Sequence, residues 1–318
     1  MHKVDSVQKR AKPAAVAVAT VKKFSEDGST GLAAMIAFWA FFSIFPLLMV
    51  LITILGWVLP AADKADVLRH VQSMFPLVPA DRIGALSGSV LALVVGLVSA
   101  LWSGLGVVRT VQTAFNSVWE IPMHERPKLV EQILRSLWAL ASIGGGLVLS
   151  TLISSVVTSS SNGLQLGVLG RIAGFVISAA LDIGLFVMAF RMLTDREITA
   201  REVLPGAVLS GLVFFVLQEL SAFIISDHLR SAQGTYGSFA TVITMLWWFY
   251  LQSIVTLLGA QLNVVLRARL HPRSIVDAPQ TEADHRALQA YAQERTYQPE
   301  EHVTARVENR DRADPGAR

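Results

Sequence analysis

Six predominantly apolar runs of about twenty residues or more, separated by short charged connections, constrain this chain more than any other feature. A soluble core does not need such runs. A bilayer does, because its hydrocarbon layer of roughly 30 Å takes about 20 helical residues to cross. The runs are Leu32 to Leu59, Ser87 to Val108, Ser136 to Val157, Val168 to Leu193, Leu204 to Ser226 and Phe239 to Leu266. None has the ten-residue alternation of a transmembrane barrel. The expected fold is an all-α polytopic membrane bundle with about six transmembrane helices. Charged residues make up only 16% of the 318, against about 25% in soluble domains, and they gather at the ends and connections.

Alternate connections differ in Lys and Arg, and positive residues mark the cytoplasmic side. Lys3, Lys9, Arg10, Lys12, Lys22 and Lys23 precede the first run. Arg109, Arg126, Lys128 and Arg135 lie between the second and third, and Arg191, Arg196 and Arg201 between the fourth and fifth. Arg267, Arg269 and Arg273 follow the sixth, which brings this side to 16. The opposite side has 5: Lys64, Arg69, Arg82, Arg171 and Arg230. Both termini are therefore expected inside. Residues 1–30 read as a basic arm with an interfacial helix, 31–270 as the transmembrane domain, and 271–318 as a polar, disordered tail with a short helix over Glu282 to Glu294. The apolar run Pro13 to Val21 could pass for a signal segment, but Lys22 and Lys23 follow it at once, and an interfacial helix fits better.

Two connections carry amphipathic stripes. Val67, Leu68, Val71, Met74 and Phe75 suggest a helix lying over the outer face. Val107, Val111, Ala114, Phe115 and Val118 suggest that the second span continues as a helix along the inner surface. Gly144, Gly145 and Gly146 are expected to let a neighbouring backbone approach the third span. Pro46 should kink the first span by removing a backbone donor.

A carboxylate inside a span costs about 2.5–3.5 kcal/mol on insertion scales and so needs a reason. Asp182 in the fourth run and Glu219, beside Gln218, in the fifth are candidates for a substrate path or for bonds between helices. The sixth run adds Gln252, Gln261 and Asn263, as helix-joining amides or as path lining. Arg191, near the inner end of the fourth run, can reach phosphates. Asp195, Glu197 and Glu202, interleaved with Arg196 and Arg201, read as solvated surface. Cysteine is absent, and the seven histidines show no metal-ligand spacing. No GxxxxGK[ST] loop is present. No cofactor, metal or nucleic-acid partner is expected, and the chain does not read as an enzyme.

Several segments, in order, resemble the YihY/virulence factor BrkB family. AFWAFFSIFP matches its alanine–aromatic stretch through Ala37, Phe38, Ser43, Phe45 and Pro46. FNSVW, through Asn116 and Trp119, is similar to its Leu-Asn-x-Ile-Trp. Leu204, Pro205, Gly206 and Ala207 resemble its Leu-Pro-Gly-Ala, with Pro205 and Gly206 as hinge or kink candidates. Tyr236, Gly237 and Ser238, then Trp248, Tyr250, Gly259, Ala260, Leu262 and Asn263, resemble its closing pattern. Phe190 and Thr194 depart from a usual Tyr-Arg-x-x-Pro stretch, and Gln261 stands where Glu is common. The resemblance implies an inner-membrane protein of envelope integrity, with members linked to transport of lipids or lipopolysaccharide precursors. An older ribonuclease BN label is regarded as mistaken. The expected function is a transporter or flippase-like protein for an amphiphilic anionic lipid, with membrane lipids as partners. The alternative is a scaffold that docks envelope proteins through its tail.

Overall fold

The computed structural model describes residues 11–58, 89–128, 130–146, 167–236, 239–274 and 281–305. Among these residues the chain is helical throughout, with no strand. Helix α1 (Lys12–Glu26) is followed by α2 (Ser29–Val58), α3 (Val90–Val118), α4 (130–146), α5 (Gly167–Met192), α6 (Ala200–Tyr236), α7 (Ala240–Arg267) and α8 (Glu282–Glu294). Among the described residues, four stretches are long and apolar enough to cross a membrane: Ser29–Ile54, Val90–Val118, Ala200–Gln218 and Ala240–Arg267. Their outward faces carry Phe38, Phe42, Leu101, Trp102, Leu212 and Val216, all exposed. A belt of that extent would aggregate in water, and it suits acyl chains.

Local sequence explains the ends. Pro13 opens α1, where a missing N–H costs nothing. Gly28 takes a left-handed φ of 62° that permits the tight reversal into α2. Thr281 caps α8 in a reciprocal capping box with Asp284. Pro46 lies inside α2, which remains one helix on either side of it.

Helix α7 is the hub, packing against α1, α2, α3 and α6. Its approach to α6 is set by glycine. A Cβ on Gly206 would collide with the Gly259 carbonyl oxygen, and one on Gly259 with Ser210 Oγ. The Gly206 amide donates to Asn263 Oδ1 at 2.6 Å, and Ser210 Oγ donates to the Val255 carbonyl at 3.1 Å. The Leu-Pro-Gly-Ala and Gly-Ala-x-Leu-Asn segments are thus the two sides of one helix crossing. A second glycine, Gly106 on α3, receives the Trp39 ring of α2. Gly211 of α6 meets the Ile183 backbone of α5.

Two sequence expectations are corrected. Helix α3 runs unbroken to Val118, and Ala114, Phe115 and Val118 do not lie along a surface. They are buried in the core, with the Phe115 and Phe190 rings 5.3 Å apart. In the α4 glycine run a Cβ on Gly146 would lie 2.8 Å from the Leu185 side chain, while one on Gly144 or Gly145 would meet nothing within 4 Å among the described residues. The outer stripe Val67 to Phe75 lies outside the described residues.

Candidate functional site at the charged end

Helices α3, α5 and α7 end where α2, α4 and α6 begin, and the charged residues converge at that end of the bundle. The arm is fixed there by buried ions. Lys23 is 0% exposed, and its Nζ donates to Asp27 Oδ2 at 2.9 Å and Glu120 Oε1 at 2.6 Å. Gln261 Nε2 donates to Asp27 Oδ2 at 2.7 Å and to Ser29 Oγ at 3.0 Å. Burial raises the Glu120 pKa above the usual carboxylate range, against the lowering pull of Lys23. Lys23 also lies 5.0 Å from the centre of the Tyr291 ring.

The tail docks on the same arm. Arg273, 2% exposed, donates to Glu26 at 2.6 Å and to Asp284 at 3.0 Å. Lys22 reaches Asp284 at 3.1 Å, and Glu294 of α8 accepts from Arg126 at 2.9 Å and Ser117 at 2.7 Å. Burial opposes ionisation of Asp284. The amides of Thr281 and Ser274, the Thr281 hydroxyl and Arg273 outweigh it, and hold the carboxyl well below its ordinary range. The face of α8 carrying Ala283, Asp284 and Ala287 is buried.

Beside this lock, a cleft of about 1050 Å³ opens between α4 and the α5–α6 connection. Arg135, Trp138, Arg191, Asp195, Arg196 and Glu197 are among its lining. Helix α4 is positioned by Ser136, whose hydroxyl donates to Gln112 Oε1 of α3 at 3.1 Å. Asn116 shapes the other wall: its Nδ2 donates to Asp195 Oδ2 at 2.5 Å, and its Oδ1 accepts the Asp195 amide at 2.9 Å. Asp195 is therefore no solvated surface residue. Its side chain is 4% exposed and takes a short ion pair from Arg135. Arg191 donates through Nε to the Ile198 carbonyl at 3.1 Å and keeps its remaining donors for the cleft. Arg196 and Trp138 are exposed, Trp138 at 68%. The charges can hold an anion, and the adjoining face of Leu134, Leu137 and Trp138 can carry an apolar tail.

The sequence-expected residues are not gathered into one place. Arg191 lines the cleft. Gln261 and Asn263 join helices, to the arm and to Gly206 respectively, and Gly206 is a packing position next to Pro205 in the early part of α6. Asp182 is half-buried on α5, and Gln218 is exposed on α6. Both amide atoms of Gln252 are buried, with no partner among the described residues. The side chain of Glu219 lies outside the described residues. Sequence reasoning missed Asn116 and Asp195 as a pair, along with Lys23, Asp27, Glu120 and Arg273. Apart from Lys23 and Asp27, four residues apart, the partners are remote in sequence, and a charge beside other charges reads locally as solvated.

The fold and its apolar belt define a multi-pass helical membrane protein. Residues 20–284 match the model of the family described as virulence factor BrkB, and the chain belongs to that family. It is 27% identical over 199 residues to a UPF0761 membrane protein of Pseudoalteromonas translucida, covering 60% of this chain and 61% of that protein. A UPF0761 membrane protein of Methylibium petroleiphilum is 28% identical over 171 residues, 52% of this chain and 40% of the relative. A Bacillus subtilis protein named ribonuclease-like protein YfkH is 26% identical over 183 residues, 55% and 65% of the two chains. The match spans less than two thirds of each relative. No solved structure matches. Among the described residues, no three His, Asp or Glu side chains converge as a metal site would require.

Proposed function

We propose that the chain is a transporter of flippase type for an amphiphilic, anionic envelope lipid in the bacterial cytoplasmic membrane. In this reading it has six spans, both termini are cytoplasmic, and it serves envelope integrity rather than enzymatic chemistry. The observation that carries it is the cleft, where three guanidinium groups and an exposed tryptophan meet at the edge of an apolar belt. A lipid whose head enters there keeps its chains on the apolar faces of α4 and α5. Gln252 supports a route onward, because a buried amide without a partner among the described residues is free to bond a passing polar group. Asp182, Glu219 and Gln218 are the further path candidates. Docking of α8 on the chain's own arm weighs against a tail that serves as a free scaffold segment.

The test is lipid translocation in proteoliposomes, following labelled anionic and zwitterionic lipids between leaflets. Protein-dependent movement of anionic lipid that falls with Gln252→Leu and Glu219→Gln supports the reading. Folded protein that moves no lipid refutes it.

A further inference from the structure

The Asp195 carboxylate sits inside a cleft lined by three arginines, Arg135, Arg191 and Arg196, and by one other acid, the exposed Glu197. It is held rigidly: Asn116 donates to Oδ2, the Asp195 amide is tied to Asn116 Oδ1, and the side chain is nearly inaccessible. Its second oxygen is turned to Arg135, the more exposed partner, whose side chain is 47% exposed. Arg191 and Arg196 line the same wall, and Arg196 has no protein partner among the described residues. Three guanidinium groups therefore face one fixed internal carboxylate and the exposed Glu197. A planar guanidinium recognises phosphate through paired donors as readily as it recognises carboxylate. An incoming phosphate and Asp195 consequently compete for Arg135.

Resting on the transport reading above, we propose that the cleft takes a phosphate-bearing head group on Arg191, Arg196 and Arg135, and that Asp195 is its built-in competitor for Arg135. Arg191 and Arg196 supply the charge that attracts the phosphate. The Asp195–Arg135 pair sets how strongly it is held, so the site releases its ligand instead of trapping it. Trp138, at the outer edge of the cleft, marks where head group gives way to acyl chain.

The chemistry is shared by a phospholipid head and by free phosphate, and the experiment separates them. Full-length protein in detergent is titrated with a fluorescent short-chain phosphatidate. Competing arms use inorganic phosphate and a phosphatidylcholine of matched chains. Arg191→Gln with Arg196→Gln should weaken phosphatidate binding by about tenfold or more, as expected for losing two charge-assisted contacts. Asp195→Asn keeps the shape and one acceptor for Asn116, and should tighten binding by about threefold or more, since it leaves Arg135 only the exposed Glu131, 4.0 Å away, as a carboxylate partner. Unlabelled phosphatidate should compete fully, and phosphatidylcholine and inorganic phosphate only weakly. Full competition by inorganic phosphate would make the free ion the ligand and overturn the lipid assignment. Binding unchanged in the double variant overturns the site. Asp195→Asn that weakens binding as Arg135→Gln does, with unfolding midpoints unchanged, makes Asp195 a positioning residue and overturns the competitor role. Translocation that fails while this binding persists refutes transport and leaves the site standing. Translocation that continues without this binding does the reverse.

Discussion

Replacing Gly206 by Ala attacks the crossing on which the bundle is built. The new Cβ would lie on the Gly259 carbonyl oxygen, 2.5 Å from Asn263 Nδ2 and 2.6 Å from its Cγ. An ordinary carbon contact is ~3.5–4.0 Å, so the two helices must separate, because a backbone carbonyl cannot rotate aside. Overpacking of this kind costs about 1–3 kcal/mol. Separation also strains the 2.6 Å bond from the Gly206 amide to Asn263, and leaving a buried amide unpaired costs about 1–3 kcal/mol. The helix preference for Ala over Gly returns about 0.5–1 kcal/mol. The net expectation is a loss of about 1–5 kcal/mol. Reversible unfolding in mixed detergent and SDS micelles measures it directly. Gly144→Ala is the control, since its Cβ meets nothing within 4 Å, and it should be neutral or stabilising by up to about 1 kcal/mol. A Gly206→Ala protein within about 0.5 kcal/mol of the parent, the usual scatter of a harmless substitution, would refute backbone contact at this crossing.

Lys23→Met leaves Asp27 and Glu120 buried without their cation and should cost about 3–5 kcal/mol in the same assay, with part restored by adding Glu120→Gln. No loss would mean that the pair is hydrated. Gln261→Glu sets a second carboxylate where the amide now donates to Asp27 at 2.7 Å. Like charges raise the pKa of one of them, so the variant should approach parental stability at low pH and lose it as pH rises through that raised value; unfolding curves across pH check the slope. Asp284 behaves oppositely. Its depressed folded pKa makes its contribution complete above the unfolded value of about 3.9, and lost as pH falls through the folded one. Protection of the α8 amides, taken relative to the intrinsic exchange rate at each pH, should therefore be high at neutral pH and fall in strong acid, and Asp284→Asn should lower it at neutral pH; equal protection in both proteins at neutral pH would remove Asp284 as the tail's anchor.

The helices were largely legible because a bilayer imposes length and hydropathy on each segment independently of its neighbours. Burial was less so. The stripe from Val107 to Val118 announced that α3 continues as a helix past Val108, but not that Phe115 packs on Phe190, on an element 75 residues away that no local pattern announces. The motifs Leu-Pro-Gly-Ala and Gly-Ala-x-Leu-Asn could be recognised separately, but that Gly206 meets Gly259 is a property of packing. The charge lock was illegible for a physical reason. Lys23, Glu120 and Asp27 look solvated in sequence because each lies in a charged connection outside the apolar runs, and only their mutual compensation permits burial. Asp195 was misread in the same way. Arg191 was placed at the edge of the site by its position at the end of an apolar run. Its companions Arg135 and Arg196 come from neighbouring segments that fold onto it.

Photo-crosslinking in native membranes tests the lipid cleft most directly. A photoreactive residue replaces Trp138, and a second replaces Val90, which is also exposed but lies at the opposite end of the bundle. Captured lipids are identified by mass spectrometry. The expected result is enrichment of anionic phospholipid at position 138 over position 90, abolished by Arg191→Gln with Arg196→Gln. The same lipid mixture at both positions, unchanged by the arginine substitutions, would contradict a head-group site in the cleft.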